Sequence, residues 1–569
     1  MVDVSSGLHR RGGVQVLASV LTRNWPFAIA AAAVIAVGLA LRLSIAWQNP
    51  ETLALKVVAD DGFYYFVTAD RISDGQNISF DGVTLSNGYH PLWLFFLVPL
   101  YLLPGRSLPL HLALTASSLF DVAAGGLVAL AVGRLTGNRA AALFALTFYL
   151  LIPQNVFASA NGVESALAAM MLGALLLVLV SVWRRSRDDW IRWAVVTGVL
   201  GGLTVLARLE SALVLAVVLA FIAASQSGAQ RWRAPSVAGA MAAIVVAPWF
   251  LWSFVAVGTV MPVSAESITW LLRQHYSAHY PDADTIDKVR HGLSYTKFIL
   301  LTRLPDLYFP PRPFAVLFLS GLALLGGHFL LLSRGLLRRK TAGQILIAGL
   351  PLAAFAVMLV FNSWCRWFVR EWYFAWGMPM VALFVGVVFA YLDEVVASFP
   401  LFSGRWLHAI AGGTRQLLLC GAVVGLLALA YVGPARDTWR TGLYPEQEER
   451  LQAALYVKSN TDPAARVAAF NSGLTGYFSD RTVINLDGVV NPDAYHALRD
   501  HRLLDYLRTV DVTYVVDRDR AWRDLRAYIR PDDWSQSLWG EDPGKGFVTI
   551  ATFGPDTLFG QMRIWRLTR

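Results

Sequence analysis

Long apolar stretches recur along most of the chain, and they constrain its fold more than any other feature. A helix needs about 20 mostly apolar residues to cross the hydrocarbon core of a membrane. Since 56% of the 569 residues are hydrophobic and only 15% are charged, we exclude an ordinary soluble fold. We predict eleven membrane-spanning helices, near residues 27–47, 109–133, 140–158, 164–183, 191–207, 210–225, 235–257, 313–333, 342–361, 372–392 and 415–434.

A twelfth apolar stretch, residues 91–103, is short and contains Pro99. If it does not cross, the short basic clusters, from Arg10 and Arg11 to Arg405 and Arg415, all fall on one side, as the positive-inside rule requires. We therefore predict a helix at the outer membrane surface, with residues 1–26 in the cytoplasm and the C-terminus outside. This topology predicts a multi-pass protein whose site lies on the outer face.

The composition changes at Pro434, where charges become dense and strand-like segments appear: VAAF at 467–470, TVINL at 482–486, VTYVV at 512–516 and MRIW at 562–565. Helical patterns near residues 446–459 and 492–507 alternate with them. The alternation predicts an extracytoplasmic α/β domain over residues 435–569, after a membrane module over residues 27–434 whose first outer loop covers residues 48–108.

The net charge of +9 does not indicate a nucleic-acid partner, because basic residues collect in the cytoplasmic loops of membrane proteins. Two cysteines, Cys365 and Cys420, cannot form a disulfide framework. The sequence contains neither a phosphate-binding GxxxxGK[ST] loop nor a dinucleotide-binding glycine motif at the start of a helix. We therefore expect membrane lipid as a partner, and no nucleotide-sugar pocket.

Two adjacent carboxylates, Asp60 and Asp61, lie just beyond the first span and precede an aromatic run. Such a pair can hold a divalent cation, or it can leave one member with a raised pKa that suits it to accept a proton. Capping the following helix is the alternative, but a cap needs only one of them. We also expect Tyr64, in the aromatic run, to contact substrate.

Other polar residues are predicted on the same outer face. His90, in SNGYHPLW, can bind a phosphate, a metal or a sugar hydroxyl, or can simply lie at the interface. Glu164 begins a span, where a carboxylate also complements the helix dipole. Arg208 and Glu210 form a hairpin tip, where they can simply pair with each other.

Four arginines lie at the outer ends of predicted spans, although the positive-inside rule places basic residues on the cytoplasmic side: Arg42, Arg208, Arg366 and Arg370. Each can extend its charged end to the lipid headgroups. Together, on a face that holds several carboxylates, they predict a binding site for a phosphate or diphosphate, such as that of a lipid-linked substrate.

The order of these motifs resembles the GT-C superfamily of integral-membrane glycosyltransferases. The motifs are DDGFYYF at 60–66, FDGVTLSNGYHPLW at 80–93, NGVESAL at 161–167 and ARLES at 207–211. The resemblance implies a polyprenyl-phosphate-linked sugar donor, a glycan or lipid acceptor and work on the extracytoplasmic face.

By this resemblance, Asp60 matches the catalytic base, with Asp61 beside it, and Glu164 matches the second acidic position. Asp60, Asp61 and Glu164 would be the ligands of a divalent cation if one is used. The segment of His90 resembles one that lies near the donor phosphate. Mechanistically, these roles imply a single displacement at the anomeric carbon, with the phosphate charge held by arginines or a metal.

Residues 468–491 are similar to extracytoplasmic tails of bacterial, often actinobacterial, members of the superfamily, some of which transfer arabinofuranose or mannose. The chain lacks the Lys-rich features of the members that glycosylate proteins or lipid A. The resemblance implies a role in building the cell envelope at the bacterial plasma membrane.

Two other classes of function stay open. A lipid or sugar transporter or flippase would favour charges near the bilayer midplane and paired broken helices, whereas here the charges lie at span ends. A ligand-binding or assembly protein would act through the C-terminal domain, but three separated acidic positions on the outer face speak against a degenerate membrane module.

Overall fold

The computed structural model describes residues 8–183, 189–279, 282, 284–298, 339–364, 370, 372–398, 412–518, 546–555 and 560–568. The predicted span at 313–333, Cys365 and Arg366 lie outside these ranges. The helices up to residue 298 are α1 Leu8–Ala46, α2 Pro50–Lys56, α3 Asp60–Ser73, α4 Pro91–Leu97, α5 Ser107–Thr136, α6 Arg139–Leu151, α7 Pro153–Ala158, α8 Ser165–Trp183, α9 Trp190–Ala207, α10 Ala212–Ser225, α11 Gln230–Val257, α12 Val263–His279 and α13 Thr285–Phe298.

Four further helices complete the described part of the membrane module: α14 Arg339–Trp364, α15 Trp372–Ala375, α16 Met378–Ser398 and α17 Gly412–Thr441. Pro434, where the composition changes, lies inside α17.

Six helices in the described ranges contain a segment long and apolar enough to cross a membrane: Pro26–Ala46, Ser107–Thr136, Ser165–Val182, Trp190–Ala207, Gln230–Val257 and Gly343–Asn362. They lie at predicted spans, and they indicate a multi-pass membrane protein. Shorter apolar helices occupy Pro91–Leu102, Arg139–Leu151 and Leu209–Ser225. The total of eleven spans stays a prediction.

The predicted span at 140–158 is divided between α6 and α7. Ile152 has an extended backbone, with φ −66° and ψ 123°, and Pro153 follows as the first residue of α7. Proline restricts the residue before it to extended conformations and supplies no N–H, so the helix ends there and a new one begins.

Inside the module, α5 packs against α6 and α8, while α9 packs against α11. Arg42 of α1 is fully buried and joins three helices. Its Nε and Nη2 donate to Oδ2 of Asp121 at 2.8 and 2.6 Å, and its Nη1 donates to the carbonyl of Leu150 at 2.8 Å. Tyr149 donates to the other oxygen of Asp121 at 2.7 Å. The pairing gives Arg42 a helix-linking role in place of the substrate contact that we predicted.

The C-terminal domain contains a five-stranded sheet in the order β2-β1-β3-β5-β4. The strands are β1 Arg466–Ala469, β2 Thr482–Asn485, β3 Tyr514–Arg518, β4 Phe547–Phe553 and β5 Met562–Leu567. The helices are α18 Gln447–Asn460, α19 Gly473–Phe478, α20 Pro492–Arg499 and α21 Leu503–Thr509.

Strands β2, β1 and β3 are parallel, and β5 and β4 add antiparallel. In the register, Val467 pairs with Val483 on one side and with Tyr514 on the other. The four strand-like segments and both helical patterns of the sequence are therefore confirmed, with β4 as an additional strand.

This domain lies against the first outer loop. Nε2 of Gln447 donates to the carbonyl oxygens of Ala54 and Val58 at 2.5 and 2.9 Å, and the N–H of Leu443 donates to the carbonyl of Lys56 at 2.9 Å. One continuous apolar core includes side chains of the loop, the membrane helices and the domain, among them Phe63. The C-terminal domain therefore packs directly against the membrane module, in addition to being joined to it by the chain.

Candidate functional site

A cleft of about 170 Å³ lies where the membrane module meets the C-terminal domain. It combines acidic, basic and aromatic side chains from the first outer loop, the span ends and the domain. Its lining residues are Asp61, Tyr64, Tyr65, Gly88, Tyr89, His90, Val163, Glu164, Arg208, Ser264, Ile268, Arg370, Trp372, Tyr373, Asn471, Asp487, Val489 and Val490.

Asp60, the first residue of α3, points away from this cleft and into the domain contact. Its Oδ1 accepts the N–H of Leu474 at 2.8 Å, and its Oδ2 accepts the N–H of Gly473 at 3.2 Å. Nη1 of Arg450 lies 3.6 Å from Oδ1. The side chain therefore caps α19 and is only 8% exposed. Both oxygens of Asp60 are occupied by the protein itself.

Asp61, the next residue, does line the cleft. Burial, and then the negative charge of Asp60, raise the pKa of Asp61 to about 6, although Arg370 opposes the shift. A carboxylate with this pKa is ionised at neutral pH and is basic enough to accept a proton from a reacting group.

Glu164 and Arg208, which both line the cleft, form a buried ion pair. Nη1 of Arg208 lies 2.5 Å from Oε1 of Glu164, and its Nε lies 3.3 Å from Oε2 of Glu210. Tyr65 donates to Oε2 of Glu164 at 2.9 Å. His90 approaches the same group, with Nε2 at 3.6 Å from Oε1. The structure thus brings together four of the predicted residues.

The positive charge of Arg208 is offset by two carboxylates, and its guanidinium lies 4.7 Å from the ring centre of Tyr373 and 5.8 Å from that of Trp376. These contacts fix the position of the side chain, and the two carboxylates neutralise its charge towards a ligand.

Arg370 and His90 supply the other positive and hydrogen-bonding groups of the cleft. Arg370 is exposed, and its charge acts on Asp61. Nδ1 of His90 is buried and has no hydrogen-bond partner within the described ranges. The guanidinium of Arg370 can therefore bind an anion that enters the cleft, and His90 lies in the lining beside it.

Tyr64 of α3 contacts the C-terminal domain. Its hydroxyl accepts the N–H of Ser472 at 3.2 Å and lies 3.4 Å from Nδ2 of Asn485. Its ring packs edge-on against Phe80, with centroids 5.1 Å apart. The aromatic run thus positions the carboxylates of α3 as well as lining the cleft.

Asp487, Asn471, Tyr65 and Tyr373 line the cleft but were not among the predicted residues. Asp487 follows the carboxyl end of β2 by two residues, and this position is a usual place for functional groups in α/β sheets. Burial, with smaller contributions from Asp61 and Asp60, raises the pKa of Asp487 to about 8. An acidic residue directly after an apolar strand was the signal that sequence reasoning did not use.

The three acidic residues suggested as cation ligands do not come together as such a site. Asp60 accepts backbone hydrogen bonds, and both oxygens of Glu164 are bound by Arg208 and Tyr65. In the part of the chain that the structure describes, no group of three His, Cys, Asp or Glu side chains is placed to hold a metal ion. We therefore derive no reaction step through a metal.

The C-terminal domain matches a family model, and most of the chain is similar in fold to solved structures. Residues 438–561 match the model of a domain of unknown function, DUF8728. The comparison with curated proteins gave no match.

Among solved structures, the chain is similar to ArnT from Cupriavidus metallidurans in the apo state, with 14% identity and a TM-score of 0.55 over 94% of this chain and 97% of that one. It is similar to the same protein bound to undecaprenyl phosphate, with 13% identity and a TM-score of 0.53 over the same shares. It is also similar to an oligosaccharyltransferase from Archaeoglobus fulgidus in the apo form, with 13% identity and a TM-score of 0.52 over 95% of this chain and 75% of that one. The chain therefore has the GT-C fold that its sequence motifs resemble.

Proposed function

We propose that this protein is a membrane glycosyltransferase that moves a sugar from a polyprenyl-phosphate-linked donor to a hydroxyl of a glycan or lipid acceptor. The observation that carries the proposal is the placement of Asp61, which has a raised pKa, in the same cleft as Arg370 and His90. The reaction needs a carboxylate that can accept a proton and a cationic group that can hold a phosphate.

In this proposal the catalytic base is Asp61, whereas the sequence favoured Asp60. Asp60 cannot take a substrate proton without giving up its hydrogen bonds to the N-terminus of α19. Its negative charge instead helps to raise the pKa of Asp61. Asp60 is thus a positioning residue that keeps its hydrogen bonds to α19, whereas Asp61 accepts the proton.

The donor phosphate binds Arg370, and His90 lies in the same lining. The similarity of fold to ArnT, which was solved with undecaprenyl phosphate, supports a lipid phosphate as the ligand. Arg208 holds Glu164 and Glu210 in place, and these two carboxylates neutralise its charge. Arg366, predicted beside Arg370, lies outside the described residues.

The reaction is a single displacement. The acceptor oxygen forms a bond to the anomeric carbon of the sugar, while the bond from that carbon to the phosphate oxygen breaks. The electron pair leaves with the polyprenyl phosphate, whose negative charge Arg370 stabilises. The acceptor proton moves to Oδ of Asp61 and later returns to water.

We place the enzyme in a bacterial plasma membrane, with the cleft and the C-terminal domain on the extracytoplasmic face. The positive-inside distribution of basic residues supports this orientation. Arabinofuranose and mannose, transferred by the enzymes that the tail resembles, are the first sugars to test, and a cell-envelope glycan or lipid is the first acceptor.

The test is sugar transfer from labelled polyprenyl-phosphate sugars by the purified full-length protein in lipid nanodiscs. We expect Asp61→Asn to lower kcat about 100- to 10,000-fold, as the loss of a general base does. Asp74→Asn, the same change at an exposed position after α3, is the matched control. Near-normal turnover by Asp61→Asn rejects this base.

A transporter is distinguished in sealed vesicles. Our proposal predicts that labelled sugar appears in product on the face that carries the C-terminal domain, and that no label accumulates inside. Uptake of label without a new glycosidic product supports the transporter instead.

A further inference from the structure

The domain of unknown function forms one wall of the cleft. Asn471, which follows β1, lines it together with Asp487, Val489 and Val490, which follow β2. The domain is therefore part of the candidate site itself.

This wall is held rigidly against the membrane module. A side chain at Gly88 would collide with the carbonyl oxygen of Val489, so the outer loop approaches the domain as closely as backbone permits. Ser267 of α12 donates a hydrogen bond to the carbonyl oxygen of Asp487. The first outer loop and α12 therefore both contact this wall.

The carboxyl group of Asp487 is oriented by its own turn. Its Oδ1 accepts the N–H of Val489 at 2.9 Å. Gly488 between them has φ +77°, and a Cβ there would lie 2.6 Å from Cβ of Tyr495, so the turn requires glycine. A tight turn that presents an acidic side chain to a cleft fixes the direction from which a ligand can be bound.

The cleft offers two kinds of group. Arg370 suits a phosphate. Asp61 and Asp487 act electrostatically on each other, and Asp487, whose pKa is raised to about 8, is mostly neutral at neutral pH, so its carboxyl group can exchange hydrogen bonds with a hydroxyl. Asn471 adds an amide to the lining, and Trp372 adds an aromatic ring. A neutral molecule with several hydroxyl groups, such as a sugar, matches this chemistry.

We propose that Asp487 is an acceptor-binding residue, whose carboxyl group holds a sugar hydroxyl next to the hydroxyl that reacts at Asp61. This inference rests on the proposed function and names the acceptor class as a glycan. It also assigns the domain of unknown function a role, since the domain completes the acceptor side of the cleft.

The experiment measures binding of two kinds of probe to the full-length protein in nanodiscs. One probe set is a panel of methyl pentosides and hexosides, and the other is undecaprenyl phosphate. The variants are Asp487→Ala, which removes the hydrogen-bonding group, and Asp487→Asn, which keeps a hydrogen-bonding group of similar shape. Asp505→Ala, at an exposed position of α21, is the matched control in the same domain.

We expect at least one methyl glycoside to bind the wild type and to bind Asp487→Ala about tenfold more weakly, as for the loss of one strong hydrogen bond. Asp487→Asn should stay within about threefold of wild type, and Asp505→Ala should be unchanged. Affinity for undecaprenyl phosphate should be the same in all four proteins.

Two results overturn the inference. The first is that no methyl glycoside binds the wild type, or that Asp487→Ala binds it as well as the wild type does. The second is that Asp487→Ala binds both probes equally more weakly, which indicates a structural role. Failure of the proposed function is a separate result, in which the wild type neither transfers sugar nor binds undecaprenyl phosphate.

Discussion

Asp60 and Leu474 are 414 residues apart in the chain, yet Oδ1 of Asp60 accepts the backbone N–H of Leu474 at 2.8 Å. This bond joins the first turn of α3 to a helix of the C-terminal domain. Of the two adjacent carboxylates, only Asp61 lines the cleft.

Removing the Asp60 carboxylate should loosen the domain contact. Asp60→Ala takes away the acceptor for two backbone N–H groups and leaves Arg450 without this partner, so we expect a loss of about 2–3 kcal/mol of unfolding free energy. Asp60→Asn keeps one acceptor oxygen and should lose less. Thermal unfolding and limited proteolysis between α17 and α18 measure the effect, with Asp74→Asn as control. Unchanged protease sensitivity contradicts a docking role.

Activity should depend on pH through Asp61. Its pKa of about 6 means that the carboxylate is ionised above this pH and protonated below it. Since a protonated carboxyl cannot accept the acceptor proton, kcat/KM should rise as pH increases through about 6 and then level off. A pH profile of transfer that is flat between about pH 5 and 7 speaks against Asp61 as the base.

Stability should change with pH through Asp487. Its pKa is raised from 3.8 to about 8, so the fold favours the neutral acid, and its contribution to stability is lost as pH rises from about 4 through about 8. Asp487→Asn cannot ionise and should therefore melt higher than the wild type at pH 9, with a smaller difference at pH 5. Each unit of pKa difference is worth about 1.4 kcal/mol at most. Equal differences at the two pH values would show that Asp487 is not buried as a neutral group.

Affinity for the lipid phosphate should depend on Arg370. Arg370→Ala removes a charge-assisted contact and should weaken undecaprenyl phosphate binding about tenfold or more, while Arg370→Lys should recover part of it. Arg436→Ala, at an exposed position of α17, controls for the loss of one positive charge on a nearby helix. Equal affinities in Arg370→Ala and Arg436→Ala would remove Arg370 from the phosphate site.

The pair of Arg42 and Asp121 should matter for folding and not for donor binding. Either Arg42→Leu or Asp121→Leu alone leaves a buried charge unpaired, which costs about 3–5 kcal/mol. The double variant should recover part of that loss, because neither charge then lies buried. Thermal unfolding in detergent gives the stabilities. If Arg42→Leu melts like the wild type but binds undecaprenyl phosphate more weakly, Arg42 belongs to the site after all.

The sequence predicted the elements well because their signals are local. Apolar stretches of sufficient length predict membrane helices, and apolar segments with β-branched residues predicted four of the five strands. The position of Pro153 predicts a helix boundary that we did not use. Strand β4 was missed, and Pro434 lies inside α17, which continues to Thr441.

The sequence by itself determined that the chain has several membrane helices, that it carries an α/β domain and that acidic and basic residues lie at the ends of its apolar segments. Only the tertiary structure decided which of these residues share a cleft. Asp60 and Asp61 are equivalent in composition and adjacent in sequence, but successive helix residues point in directions about 100° apart. One carboxylate therefore meets the N-terminus of α19 and the other meets the cleft. Asp487 joins Asp61 there because folding brings the carboxyl end of β2 to the outer loop, a contact between distant segments that no local pattern encodes.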